Sequence, residues 1–265
     1  MLRGASAEAE SQLVSELEDS GSTDAELGEQ LFGVATLLRG EPALRRIATD
    51  ASIEGDAKAD LVGNVFGNAL GDTALALVKS AVKHRWTVSR DLADVIEHLG
   101  VLAAVRSAGD DGEKISDELF EVRRVVDQTE GLRTALSDPA RSTADKGGLL
   151  RSLFHGKVLA ATMLLVEQAA AGAHGAIDAA LEGYQHTAAH ANGEKIATVH
   201  TARELSEADR DRLAAALGAQ YDTSVHLQVV VDPEVVGGLR VMIGDDVIDG
   251  TVASKLEDAQ RRIAG

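Results

Sequence analysis

Apolar residues recur at helical spacing through the first two thirds of the chain. In residues 5–18, Ala9, Leu13 and Leu17 fall every four positions, and in residues 25–40 Leu27, Leu31, Val34 and Leu38 form a second stripe. Such spacing gathers the apolar side chains on one face of a 3.6-residue helix. Shorter helical stretches are predicted over 42–49, 55–66, 73–83 and 89–99, joined by connections of a few residues. Six short helices in about a hundred residues describe a compact bundle.

The same pattern then returns. Leu31, Phe32 and Val34 meet Leu119, Phe120 and Val122 at a constant offset of 88 residues, without gaps. Leu44, Arg45 and Asp50 meet Leu132, Arg133 and Asp138; Lys58, Leu61 and Phe66 meet Lys146, Leu149 and Phe154; Leu77, Val78 and Ala81 meet Leu165, Val166 and Ala169. The identities fall mainly on positions that would line a bundle core, which predicts a duplicated helical domain. The seam is expected in Ser107–Lys114, where Gly and Asp favour a solvated linker.

From Lys195 the period changes. Ile196, Thr198 and His200 alternate with Ala197, Val199 and Thr201, as in a strand. Ser206 to Asp209 resembles a capping box, with Asp in the place of Glu or Gln, opening a helix through Tyr221. Val225–Val231, Leu239–Ile243 and Val247–Asp249 read as strands, and Val252, Leu256, Ala259 and Ile263 as the stripe of a closing helix. The expected fold class is mostly α: two consecutive small helical bundles, 1–105 (six helices) and 106–193 (its repeat), followed by a small α/β module, 194–265.

Composition agrees and removes several functions. Apolar residues make up 45% of the chain but aromatics only 3%, and there are three prolines, which suits closely packed helices. The net charge of −17 is spread over all three segments, so neither nucleic acid nor an anionic lipid surface is expected as a direct partner. Met1–Glu10 lacks the apolar stretch of a secretory signal, and the longest apolar run, Val158–Val166, falls short of the roughly 20 residues that span a bilayer. With no cysteine there is neither a disulfide nor a thiol nucleophile.

Candidate chemistry is sparse. His186 and His190 share a helical face, but the Glu of a zinc-binding HExxH pattern and a third ligand are missing, so exposed histidines are expected. Gly63, Gly67 and Gly71 precede no Lys-Ser/Thr and follow no strand, which speaks against a phosphate loop. Asp110-Asp111-Gly112-Glu113 lacks the alternating oxygen ligands of a calcium loop. No catalytic residue, cofactor site or metal site is expected.

The most specific pattern lies near the C-terminus. Asp232-Pro233 after Val231, Gly237-Gly238, Gly244-Asp245, Ile248-Asp249-Gly250-Thr251 and Leu256 resemble the signature of the ATP synthase delta subunits, whose mitochondrial counterpart is the oligomycin-sensitivity-conferring protein. Asp138-Pro139, Lys146 and Leu149 resemble a second motif of that family. The signature reads as framework: the Gly pair permits backbone that a β-carbon forbids, and Asp249 can accept N–H groups before a helix.

The resemblance implies a non-catalytic stator subunit of an F-type ATP synthase, peripheral on the cytoplasmic face of the cell membrane. Its implied partners are alpha subunits of the catalytic head and a b-type peripheral stalk subunit, with no membrane insertion of its own. A regulatory helical adaptor is the competing reading. Members ordinarily carry one helical domain, whereas the doubled form resembles actinobacterial subunits, here without a fused b-type segment. Leu13 and Leu17 on the first helix, with Leu75, Val78 and Val82 on the fifth, are the expected groove for a head helix. The first copy is the favoured docking end, because Lys83-His84-Arg85-Trp86 there faces Ala-Gly-Ala-His at 171–174 in the second.

Overall fold

Every predicted helix of the first copy forms. In the computed structural model these are α1 (Ala5–Asp19), α2 (Ala25–Gly40), α3 (Pro42–Ala48), α4 (Gly55–Phe66), α5 (Asp72–Lys83) and α6 (Asp91–Ser107). The structure describes residues 2–171, 176–244 and 246–252. Local chemistry sets several boundaries. The Asp24 carboxylate accepts the Glu26 N–H at 2.9 Å to open α2, and Pro42 starts α3, where its missing N–H leaves no bond unmade.

The second copy follows with α7 (Gly112–Gln128), α8 (Glu130–Ser137), α9 (Thr143–Phe154), α10 (Ala160–Ala170) and α11 (Ile177–Ala191). The offset of 88 carries α4 onto α9 residue for residue, and α2, α3, α5 and α6 onto α7, α8, α10 and α11 within a few residues. The expected linker is a single tight turn: Gly109–Asp111 forms one 3-10 turn, with Gly109 at φ +55, and α7 starts at Gly112.

The larger difference concerns α6, which runs eight residues past its predicted end at Leu99. From Leu99 to Val105 it is apolar and buried all round, so no single stripe marks its extent. Gly100, a natural place to end a helix, instead lets two helices cross closely. A β-carbon there would stand 2.7 Å from the Phe32 ring, and one on Gly28 of α2 would stand 3.1 Å from the Gly100 carbonyl oxygen.

This helix serves both copies. Leu92, Ile96 and Leu99 belong to the first core cluster, together with Leu13, Leu17, Leu31, Leu38 and Val78. Val101, Ala104 and Val105 belong to the second, with Ile115, Leu119, Leu150, Leu165 and Leu181, and Phe32 reaches that cluster from α2. Shifted back by 88 residues, Val101 and Val105 fall on Leu13 and Leu17, so the second half of α6 does for the second copy what α1 does for the first.

Residues 1–188 form one compact unit and residues 189–265 another. In the second unit, β1 (Glu194–Thr201) leads through α12 (Glu207–Tyr221) to β2 (Ser224–Val231), followed by β3 (Leu239–Ile243) and β4 (Asp246–Asp249). The sheet order is β2-β1-β3-β4, with β1 and β2 parallel and the other pairs antiparallel. Register puts Ala197 opposite Ile243 and Val199 opposite Val241, so one face carries the core, closed by Leu213, Leu217 and Tyr221 of α12. Ser206 caps the start of α12: its hydroxyl accepts the Asp209 N–H at 3.2 Å and donates to the Asp209 carboxylate at 2.7 Å. The predicted closing helix lies, beyond Val252, outside the described residues.

Candidate docking surfaces and the signature loops

The expected groove is a closed seam. Leu13 and Leu17 are wholly buried, Val78 and Val82 nearly so, and only Leu75 is partly exposed. These side chains hold α1 to α5 in the first core cluster; the spacing that suggested a groove is here the spacing of a core face. At the surface of this pair Ser80 donates to the Glu16 carboxylate at 2.8 Å, and the outer positions of α1 are the exposed Glu8, Gln12, Ser15 and Glu16.

The segment after α5 fastens the start of the chain. The Trp86 indole N–H donates to the Ala81 carbonyl at 3.0 Å, the Thr87 N–H to the Ser6 hydroxyl at 2.8 Å, and the Thr87 hydroxyl to the Arg3 carbonyl at 2.9 Å. Lys83 pairs with Asp56 at 2.7 Å, in solvent on both sides. Of the matching stretch in the second copy, residues 172–174 lie outside the described residues.

Large apolar side chains do reach solvent elsewhere. On α4, Leu61 and Val65 stand one turn apart, 38% and 50% exposed, and Val125 on α7 is exposed as well. In the α/β unit, Val236, Met242 and Val247 are exposed, the last two as a cross-strand pair of β3 and β4.

The signature residues knit two loops together. The Asp232 N–H donates to the Thr201 carbonyl at 2.8 Å, and its carboxylate accepts the Glu234 N–H at 2.9 Å, making a turn with Pro233 at its corner. Gly237 and Gly238 hold φ of +115 and +79, which side-chain-bearing residues rarely adopt. A β-carbon on Gly238 would stand 2.3 Å from the Gly250 carbonyl oxygen. Gly250 and Val252 donate backbone bonds to Leu239 and Gly237, closing the second loop on the first. Gly244, at φ +55, turns β3 toward β4; Asp245 and Leu256 lie outside the described residues.

Asp249 caps this knot. Its carboxylate accepts both the hydroxyl and the N–H of Thr251, at 2.6 and 2.9 Å, and meets the Arg240 guanidinium at 3.0 Å. Those bonds, the Thr251 hydroxyl foremost, hold its pKa below the ordinary carboxylate value.

His186 and His190 are exposed on α11, and among the described residues no group of three or more His, Cys, Asp or Glu is placed to hold a metal ion. No helix of the described residues is long and apolar enough to cross a membrane.

Sequence reasoning gave no sign of one buried polar cluster. Glu97 of α6 accepts from Arg39 of α2 at 2.6 Å, from Gln168 of α10 at 2.9 Å and from Tyr184 of α11 at 2.5 Å. Arg39 also reaches Asp94 at 2.7 Å. A Glu one turn before a Gly-Val-Leu-Ala-Ala run is the signal that was available.

The chain matches the family described as ATP synthase delta (OSCP) subunit over residues 100–263, from within α6 through the second copy and the α/β unit. It is 52% identical to the ATP synthase subunit delta of Nocardioides sp., across 100% of this chain and 98% of that one. The subunit of the same name from Streptomyces avermitilis is 40% identical, across 94% and 92%. A chain of the Toxoplasma gondii mitochondrial ATP synthase hexamer is 18% identical over 62% of this chain and 96% of its own, at a TM-score of 0.35, too low to bear on the fold.

Proposed function

This chain belongs to the ATP synthase delta (OSCP) subunit family, a component of F-type ATP synthases, and from that membership we propose that it is the stator piece that ties the catalytic head to the peripheral stalk. The helical unit contacts alpha subunits of the head, the α/β unit grips a b-type stalk subunit, and the whole sits on the cytoplasmic face of the membrane without entering it. The physical task is to keep the head from turning with the rotor, which requires a load path with two ends. The observation that carries this reading is the division of the chain into two units, each with its own core and its own exposed apolar side chains.

With the α1–α5 seam closed, Leu61 and Val65 of the first copy become the proposed head contact, and Met242 and Val247 the stalk contact. Burying such side chains against a partner helix would contribute about 1.5–3 kcal/mol each when complete. The test uses membranes stripped of the native subunit and read by ATP-driven proton pumping. The full chain is expected to restore coupled pumping and residues 1–193 alone to leave it uncoupled. Val65→Asp should weaken capture of the head, and Val125→Asp should not. If 1–193 restores coupling by itself, the two-ended role is wrong. If Val125→Asp is the damaging change, the head contact belongs to the second copy.

A further inference from the structure

The cluster around Glu97 lies where the two helical copies meet. Arg39 and Glu97 come from α2 and α6, and Gln168 and Tyr184 from α10 and α11 of the second copy. Glu97 is 2% exposed, so its carboxylate has left water and depends on these donors. Burial and the Glu97 charge push the Tyr184 hydroxyl far above its ordinary pKa, so it stays protonated and donates. Burial opposes the charge on Arg39, but Asp94 and Glu97 outweigh it and raise its pKa.

The repeat itself shows that this cluster is no part of the bundle plan. Shifted by 88 residues, Glu97, Gln168 and Tyr184 fall on Ala9, Ser80 and Ile96, and Arg39 falls on Asp127. The network has no counterpart in the first copy; through Glu97 it ties Arg39 on α2 to Gln168 and Tyr184 on α10 and α11 across the helix that both copies share. In the forward direction Gln185 takes the place of Glu97, buried but uncharged.

We infer that Glu97 is a coupling residue that fixes the two helical copies as one rigid body. A half-open seam strands a carboxylate away from both water and donors, so intermediate angles between the copies are disfavoured and the seam is either closed or fully hydrated. The apolar residues of α2 and α6 that enter the second core, Phe32, Val101, Ala104 and Val105, lack that directional demand: apolar burial is non-directional and does not by itself fix the angle at which α10 and α11 meet α6. The use of this rigidity, transmitting load through a doubled unit, rests on the stator reading; the rigidity itself does not.

The sequence has no cysteine, so two labels can be placed cleanly at the exposed Ser15→Cys on α1 and Ser152→Cys on α9. Spin-label distance measurement on the free full-length chain is expected to give one narrow distribution. Tyr184→Phe combined with Gln168→Leu, which removes the second copy's donors while keeping its volume, should broaden it or add a second population. Tyr184→Phe alone, the milder change, should broaden it less, and it decides the matter if helical circular dichroism shows that the double variant fails to fold. An unchanged distribution in the folded variants, or a broad one in the parent chain, would overturn the inference. Because no other subunit is present, either result leaves the stator reading standing.

Discussion

Asp249 shows how much local structure a single carboxylate can hold. It holds the Thr251 hydroxyl and N–H and the Arg240 guanidinium, and so pins the loop that Gly238 must approach without a β-carbon. Its pKa is lower in the folded chain than the ordinary 3.8. Stability from such a group is present above the unfolded value and lost as pH falls through the folded one. The α/β unit is therefore expected to weaken on acidification below about pH 4, and Asp249→Asn to be less stable at neutral pH with a flatter acid limb. Urea titrations at stepped pH, read by amide signals of the sheet, check this. An acid limb that Asp249→Asn leaves as steep as before would show that other carboxylates govern it.

At the scale of elements, periodicity made the helices of the first copy legible, and the 88-residue offset carried them to the second. Strands β3 and β4 were readable for a different reason, because Gly-Gly and Asp-Asp punctuate them. Two things escaped. The stripe of Leu13, Leu17, Val78 and Val82 has the same spacing whether it faces a neighbouring helix or a visiting one, and periodicity alone cannot separate these. The far half of α6 was hidden because a helix buried on all sides has no polar face to give it a period. The consequence is a prediction about fragments. Residues 1–193 should melt as a cooperative helical protein. Residues 1–105 should melt lower, with Phe32, Val101 and Val105 uncovered. Residues 106–193, lacking the borrowed helix, should stay largely unfolded, while 90–193 should fold. Circular-dichroism melts decide, and a cooperative transition in 106–193 would mean that α6 is dispensable to the second copy.

For the whole molecule, charge is the dominant long-range property. The first thirty residues hold eight carboxylates against Arg3, and Glu8, Glu16, Glu18 and Asp19 stand exposed on α1. Such a field favours partner segments with basic flanks and speeds encounter more than it tightens the bound state. Capture of the head is expected to weaken modestly from 0.1 to 1 M salt, as the screening length falls from about 10 Å to about 3 Å. Val65→Asp should weaken it more, since it inserts a charge into apolar contact. A binding titration across that salt series checks the order; a salt effect larger than the substitution's would place the contact among the carboxylates instead.

The helix shared between the copies also makes this architecture a counting system. A second copy arrives with five helices and borrows its sixth, but α11, which stands where α6 stands, ends at Ala191 and offers Ala189 and Gly193 where α6 offers Val101 and Val105. The count therefore closes at two: a third copy would find no Val101–Val105 pair to share, and the chain turns instead into β1 at Glu194.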